Sequence, residues 1–348
     1  MLKIAKERLN ELYAKINESM GLFIPVKKAG EVNYAIWGEG KEVSLETLKT
    51  VKSPKNMFFP QTENMMKFKT EGKNIEIVDV REKLAQAADE KPFVMFGVKA
   101  CDYKAIEVLD KVFLADPVDT YYQIRRNAAT IVTLACSKPE ESCFCSVFGI
   151  DATAPQGDVT TWLDEKYLYW QANTEKGEKL TSLVEALFEK GGEAEVETQK
   201  ANTQAILGKL PFTSLDLSRF KPENLNELFD DTRWEEMSEA CLGCGTCTFV
   251  CPTCQCFDIR DFKTNEGVIR YRCWDSCMYS DFTLMAHGNS RTTQMQRFRQ
   301  RFMHKLVYYP SQNDGLYSCV GCGRCVNKCP QSLNIVKVIK TLGGKKND

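Results

Sequence analysis

The chain has 348 residues, 43% apolar and 27% charged, with a formal net charge of −1. That length allows two or three domains, the composition is ordinary for a globular protein, and no apolar run is long enough to cross a bilayer. Sixteen cysteines stand against two histidines, so any metal chemistry must be mainly thiolate and no Ser/His/Asp triad can be argued.

Residues 2–19 space apolar positions as an amphipathic helix and lack the unbroken apolar core of a secretory signal, so a cytoplasmic protein is expected. Strands are expected at 73–80 (KNIEIVDV), 93–98 (FVMFGV), 129–136 (ATIVTLAC) and 167–174 (YLYWQANT). A helix is expected at DYKAIEVLD with Asp102 as N-cap, and further helices at GEKLTSLVEALFEK and TQAILGKL. Strands alternating with helices imply an α/β core. PFTSLDLSRFKPEN, 211–224, reads as a linker, and LNELFDDTRWEEMSEA as a helix leading into the cysteine-rich part. The expected fold is therefore α+β: an N-terminal α/β domain, residues 1–222, then a ferredoxin-like two-cluster domain, 223–348. The second domain would take either the small βαβ form or an α-helical ferredoxin arrangement.

Reduced thiols rarely pair in the cytosol, so dense cysteines there argue for metal. Two runs carry the strongest signal: Cys241-x2-Cys244-x2-Cys247-x3-Cys251-Pro252 and Cys319-x2-Cys322-x2-Cys325-x3-Cys329-Pro330. Both fit the two-cluster ferredoxin pattern, in which the last cysteine of each run ligates the other cluster. One [4Fe–4S] cluster is then expected on Cys241, Cys244, Cys247 and Cys329, and a second on Cys319, Cys322, Cys325 and Cys251. Sixty-seven residues, 252–318, separate the runs, far more than a minimal ferredoxin uses. They contain Cys254, Cys256, Cys273 and Cys277, open to a further site, a redox disulfide or packing. They also contain RTTQMQRFRQRFMHK, where Arg297, Arg301 and Lys305 share a helical face suited to docking or to electrostatic support of reduced clusters.

Cys101, Cys136, Cys143 and Cys145 lie within 45 residues of an otherwise cysteine-free N-terminal half. Cys101 follows one expected strand and Cys136 ends another, so these two strand ends and the Cys143-x-Cys145 pair can meet at one sheet edge and hold a third cluster. Charge is split as well. Residues 241–348 carry fifteen basic and seven acidic residues, and residues 1–240 carry thirty-one and forty. The basic half can offset anionic clusters or meet an acidic partner. No helix-turn-helix or RNA-binding motif accompanies it, so nucleic acid is not expected. G-x-G-x-x-G after a strand and the Walker loop are both absent.

GVKACDYKAIEVLD, YYQIRR, CSKPEESCFC, CLGCGTCTFVCPTCQCFDIRD, WDSC, FTLMA, RQRFMHK and CVGCGRCVNKCP together resemble one family across residues 90–340. It comprises the A-type iron–sulfur component of anaerobic sulfite reductase and the beta subunit of sulfhydrogenase-type NiFe hydrogenases. The resemblance implies an electron-transfer subunit working between an FAD/NAD(P)H-binding flavoprotein and a catalytic subunit. That catalytic subunit would be a hydrogenase, a sulfite reductase or a heterodisulfide-reductase-like protein. The resemblance includes the N-terminal four cysteines and Cys254, Cys256 and Cys277, but not Cys273. AHGNSR departs from the family where a glycine pair precedes histidine, so His287 is assigned no ligand role. Two other readings are a stand-alone reductase acting at Cys254, Cys256 and Cys277, and an iron–sulfur redox sensor.

Overall fold

A computed structural model describes residues 1–343 and shows an α+β protein. In chain order the main strands are β1 (Leu2–Ala5), β2 (Gly21–Lys28), β3 (Glu31–Ile36), β4 (Thr62–Glu71), β5 (Asn74–Asp79) and β6 (Phe93–Val98). They continue with β7 (Ala129–Leu134), β8 (Val159–Leu163), β9 (Tyr167–Ala172), β10 (Glu189–Lys190), β11 (Phe257–Thr264) and β12 (Gly267–Trp274). The residues form two compact units. One comprises Met1–Phe58, Leu84–Thr213 and Val320–Cys322; the other comprises Phe59–Lys83, Ser214–Cys319 and the described residues 323–343. This differs from a linear division at residue 222, because β4 hydrogen-bonds along β12 and takes the β4–β5 hairpin into the second unit.

The first unit is built on an eight-stranded sheet, ordered β10-β1-β9-β8-β7-β6-β2-β3. Its middle is parallel, with β2, β6, β7 and β8 running the same way. Such strands need cover on both faces, and VMFGV and ATIVTL are accordingly buried throughout. Gly97, at φ +81°, sits where the β6–β7 register slips between Phe96 and Val98. That irregularity re-aims the chain just before Lys99 and Cys101. The segment 2–19 is not a single helix. Leu2–Ala5 pairs with β9 and β10, and the α-helix starts at Leu9. Asp102 is not an N-cap: the helix Ala100–Phe113 is entered from Lys99, and Asp102 is buried in its first turn.

The second unit contains an antiparallel sheet ordered β11-β12-β4-β5. The pattern FDIRDFKT-NE-GVIRYRCW alternates and turns as a hairpin, a β feature within the long insertion. Arg272 on β12 is buried and bonds Glu63 on β4 at 2.6 Å, with its guanidinium over Phe59 and Phe257. The helix Gln294–Met303 begins with a capping box between Thr293 and Gln296 and continues as a π-helical stretch, His304–Tyr308. The last helix, Ile335–Leu342, is capped by Asn334 and buries Ile335, Val336, Val338, Ile339 and Leu342. Arg219 and Arg233 donate to its final carbonyls, at Leu342 and Thr341. Among the described residues no helix is long and apolar enough to cross a membrane.

Candidate metal centre

In the second unit the first cysteine run curls through two left-handed glycines, Gly243 at φ +64° and Gly245 at φ +71°. The turns let Cys241 and Cys244 precede the short helix Thr246–Phe249, which carries Cys247. Cys241, Cys244, Cys247 and Cys329 line one recess, walled by Met278, Phe298, Phe302 and Leu333. Three of these thiols come from the first run, and the fourth is the last cysteine of the second run. Several polar groups hold this wall. The Tyr279 hydroxyl donates to Cys244 O at 3.2 Å, Gln294 Nε2 to Cys241 Sγ at 3.5 Å, and the Leu333 N–H to Cys329 Sγ at 3.3 Å. The Thr246 hydroxyl lies 3.4 Å from Cys244 Sγ and holds that thiol's pKa below its usual value. Apolar walls with N–H donors aimed at sulfur suit an iron–sulfur cluster, whose potential responds to both.

Two buried cations come from the basic helix and its π-helical extension. Arg301 is 2% exposed and Lys305 is 3% exposed. The face they share with Phe298 and Phe302 points inward, so it is not an exposed docking surface. Arg301 Nη2 donates to Cys247 O at 3.3 Å, while Nε and Nη1 are buried with no acceptor among the described residues. Burial opposes its charge, but the neighbouring cysteines Cys247, Cys325, Cys254 and Cys251 outweigh that and raise its pKa. Lys305 Nζ donates to Thr253 Oγ1 at 2.9 Å and Ser318 O at 3.0 Å. Burial opposes its charge too, and Cys251, Cys254 and Cys319 reverse the balance.

The remaining cysteines of the insertion gather here. The Cys254 thiol donates to Cys251, holding Cys251 well below the usual thiol range against the effect of burial. Cys277 likewise donates to Cys256 and brings its pKa down to about 7. Cys273 stands elsewhere, on β12 opposite Asp258, with Arg260 and Asp258 as charged neighbours. The structure thus groups Cys254, Cys256 and Cys277 and leaves Cys273 out. His287 is exposed.

The first unit assembles the N-terminal four. Cys101 lies in the first turn of the helix after β6, and Cys136 follows β7. Both are at the carboxyl ends of parallel strands, where open α/β sheets characteristically bind ligands. Cys101, Cys136 and Cys145 share a packing cluster with Ala152 and Leu207, and Cys143 neighbours Cys136 and Cys145 electrostatically. Lys49 pins the Cys143–Cys145 loop through Glu140 at 2.9 Å and Ser142 at 2.5 Å. Burial pushes the Cys145 thiol up to about 12 and lowers the pKa of buried Lys99, which faces Cys136, Cys101 and Asp102. Cys322 belongs to this unit as well, packed with Ala105 and Val320 beside Cys101. Among the described residues, no three Cys, His, Asp or Glu side chains close around a single-ion position.

The burial of Arg301 and Lys305 was not apparent from their charge. Its signal lay in the spacing, because both fall in the i, i+3, i+4 stripe that contains Phe298 and Phe302. Lys99, between a buried strand and Cys101, carries no comparable signal.

The duplicated runs and their sulfur-lined recess point to the iron–sulfur class of proteins. A sequence profile for the 4Fe-4S dicluster domain matches residues 240–333. Across 346 residues the chain is 30% identical to sulfhydrogenase 2 subunit beta of Pyrococcus furiosus, a match covering 97% of each chain. No solved structure matches. The chain belongs to the sulfhydrogenase beta-subunit family of iron–sulfur electron-transfer proteins.

Proposed function

We propose that this chain relays electrons inside a multisubunit oxidoreductase, between an FAD/NAD(P)H-binding flavoprotein and a separate catalytic subunit. The catalytic subunit would be of hydrogenase, sulfite reductase or heterodisulfide-reductase-like type; the relative's name favours hydrogenase. The observation that carries the reading is the recess shared by Cys241, Cys244, Cys247 and Cys329, which draws on both runs. These four would hold one [4Fe–4S] cluster. Cys319, Cys322, Cys325 and Cys251 would hold the second, on their spacing. Cys101, Cys136, Cys143 and Cys145 would hold a third, and Cys254, Cys256 and Cys277 are available to a further cofactor or a thiol–disulfide couple.

Bound clusters would supply one-electron carriers. At the Cys241, Cys244, Cys247 and Cys329 recess the chain's own residues would supply an apolar wall through Met278, Phe298 and Phe302, position sulfur through Gln294 and the Leu333 amide, and hold the Cys244 backbone through Tyr279. The test is iron and acid-labile sulfide per chain after anaerobic purification, with partner-free turnover assayed on the same sample. About twelve irons per chain are expected, falling to about eight in a Cys136→Ser/Cys145→Ser variant, with reversible visible bleaching by reductant. A colourless protein, zinc in place of iron, or substrate turnover by the isolated chain would overturn the reading.

A further inference from the structure

We propose that Arg301 and Lys305 are positioning residues that set the reduction potentials of the two ferredoxin-type clusters, Arg301 acting on both and Lys305 on one. This rests on the ligand sets proposed above. Arg301 lines the recess of Cys241, Cys244, Cys247 and Cys329, and donates to the carbonyl of Cys247. Its charge also faces Cys325 and Cys251, which belong to the second ligand set. Lys305 faces Cys251 and Cys319 and is held between Thr253 and the Ser318 carbonyl.

Two effects act at these side chains. The first is charge. Uptake of one electron adds one negative charge beside a guanidinium and an ammonium that are themselves buried. A fixed positive charge there favours the more negative state, and does so more strongly than it would at the surface. Arginine cannot escape by losing its proton, so its contribution is permanent. The second is hydrogen bonding. Buried N–H groups without acceptors are costly, yet Arg301 keeps two polar nitrogens, Nε and Nη1, in that condition on the wall of a cysteine-lined recess. Sulfur acceptors placed in the recess would satisfy them, and hydrogen bonds to sulfur also move cluster potentials in the same direction as charge. Lys305 is already engaged with two oxygen acceptors, so its effect is by charge.

The placement on a π-helical stretch fits this role. The segment His304–Tyr308 continues the helix Gln294–Met303 while widening its turn, and π-helical turns recur at functional sites. Arg301, just before the widened turn, and Lys305, within it, both reach the interior. Arg299, two residues from Arg301, instead lies over Phe229 and donates to its carbonyl. It serves as the control.

The experiment is an anaerobic redox titration of the full-length protein, followed by visible bleaching and the paramagnetic signal of the reduced state. Iron and sulfide are counted on every sample. Arg301→Gln at full iron content is expected to move both ferredoxin-type midpoint potentials to more negative values. Arg301→Lys should stay near the parent, Lys305→Met should move one potential only, and Arg299→Gln should move neither. The shifts should persist at high salt, since burial protects these charges from screening. Unmoved or raised potentials in Arg301→Gln and Lys305→Met at full iron would overturn the inference. If Arg301→Gln loses iron, Lys305→Met at full iron decides: one lowered potential supports the inference, and two unmoved potentials sink it. A parent protein without the expected iron would instead fail the ligand reading, which the iron count reports separately.

Discussion

The two units bring cysteines together by different means. In the first unit Cys101 and Cys136 follow buried parallel strands, Cys145 on the adjoining loop packs with them like a small apolar side chain, and burial dominates: Cys136 and Cys145 are pushed up and Lys99 is pushed down. In the second unit most of the thiols sit on loops or on helices of one turn, such as Thr246–Phe249. There, remote side chains fix them, and opposite charge outweighs burial at Arg301 and Lys305. A sheet edge supplies rigidity through its scaffold, whereas a loop must obtain it from polar contacts. The first site should therefore be sensitive to backbone changes, and the second to loss of specific side chains.

The largest expected effect lies under the second unit's loops. Arg272→Met leaves Glu63 buried without its 2.6 Å partner, and a broken buried pair costs about 3–5 kcal/mol. The double variant Glu63→Met/Arg272→Met should recover most of that loss, because a matched apolar pair avoids both desolvation penalties. Denaturant unfolding with hydrogen exchange read unit by unit checks this. Protection should fall in β4, β11 and β12 while β6 and β7 keep theirs. Equal loss in both sheets would show that the two units do not respond separately.

A pair of glycines sharpens the contrast. Gly321, in the first unit, has φ +58°, and an added Cβ would lie 2.4 Å from the Phe144 carbonyl oxygen. Gly243, in the second, has φ +64°, but its nearest contact would be the flexible Gln294 Oε1 at 3.0 Å. Alanine at either site meets the left-handed penalty of about 1–2 kcal/mol. Only at Gly321 must backbone also move, and the Phe144 N–H to Gly321 O bond at 2.9 Å shows how closely the segments pack. Gly321→Ala should cost about twice what Gly243→Ala does, within the range for over-determined strained positions. Equal losses in unfolding free energy would remove the distinction between a yielding wall and a fixed one.

What the sequence made legible follows the same division. FVMFGV and ATIVTL are apolar throughout and bounded by turns, so the strands of the first site were readable, as were the two runs by spacing alone. LKIA merges with the periodicity of the following helix, because four residues cannot establish a period of two against one of 3.6. The β11–β12 hairpin alternates plainly, yet it lies in an insertion whose strongest local signal is cysteine, and it is absent from the expected elements. That β4 pairs with β12, and that Arg301 points inward, depend on contacts between distant segments that local pattern does not encode. Charge alone does not separate the two readings of Arg301 and Lys305, docking or electrostatic support of clusters; their burial favours the second.

The smallest effect concerns acid. Both histidines of the chain lie in the second unit, and His304 is half-buried beside Tyr309. Burial, then Lys305 and Arg291, lower its pKa from 6.5 to about 4. A histidine that is harder to protonate when folded makes the unfolded chain bind more protons, so stability rises with pH across that window. His304 therefore leaves stability intact above about pH 6.5, and withdraws it as pH falls toward about 4. Its partial exposure limits the loss to about 1 kcal/mol, below what the full shift would give. Anaerobic unfolding of the parent and His304→Gln at pH 7 and pH 5 isolates the contribution, because other acid-labile groups are common to both. The parent should lose more stability than the variant, and the difference should appear in exchange from the second unit alone. The same slope in both proteins would mean that His304 is already solvated, and that the helix bearing Arg301 and Lys305 is less tightly enclosed than their burial implies.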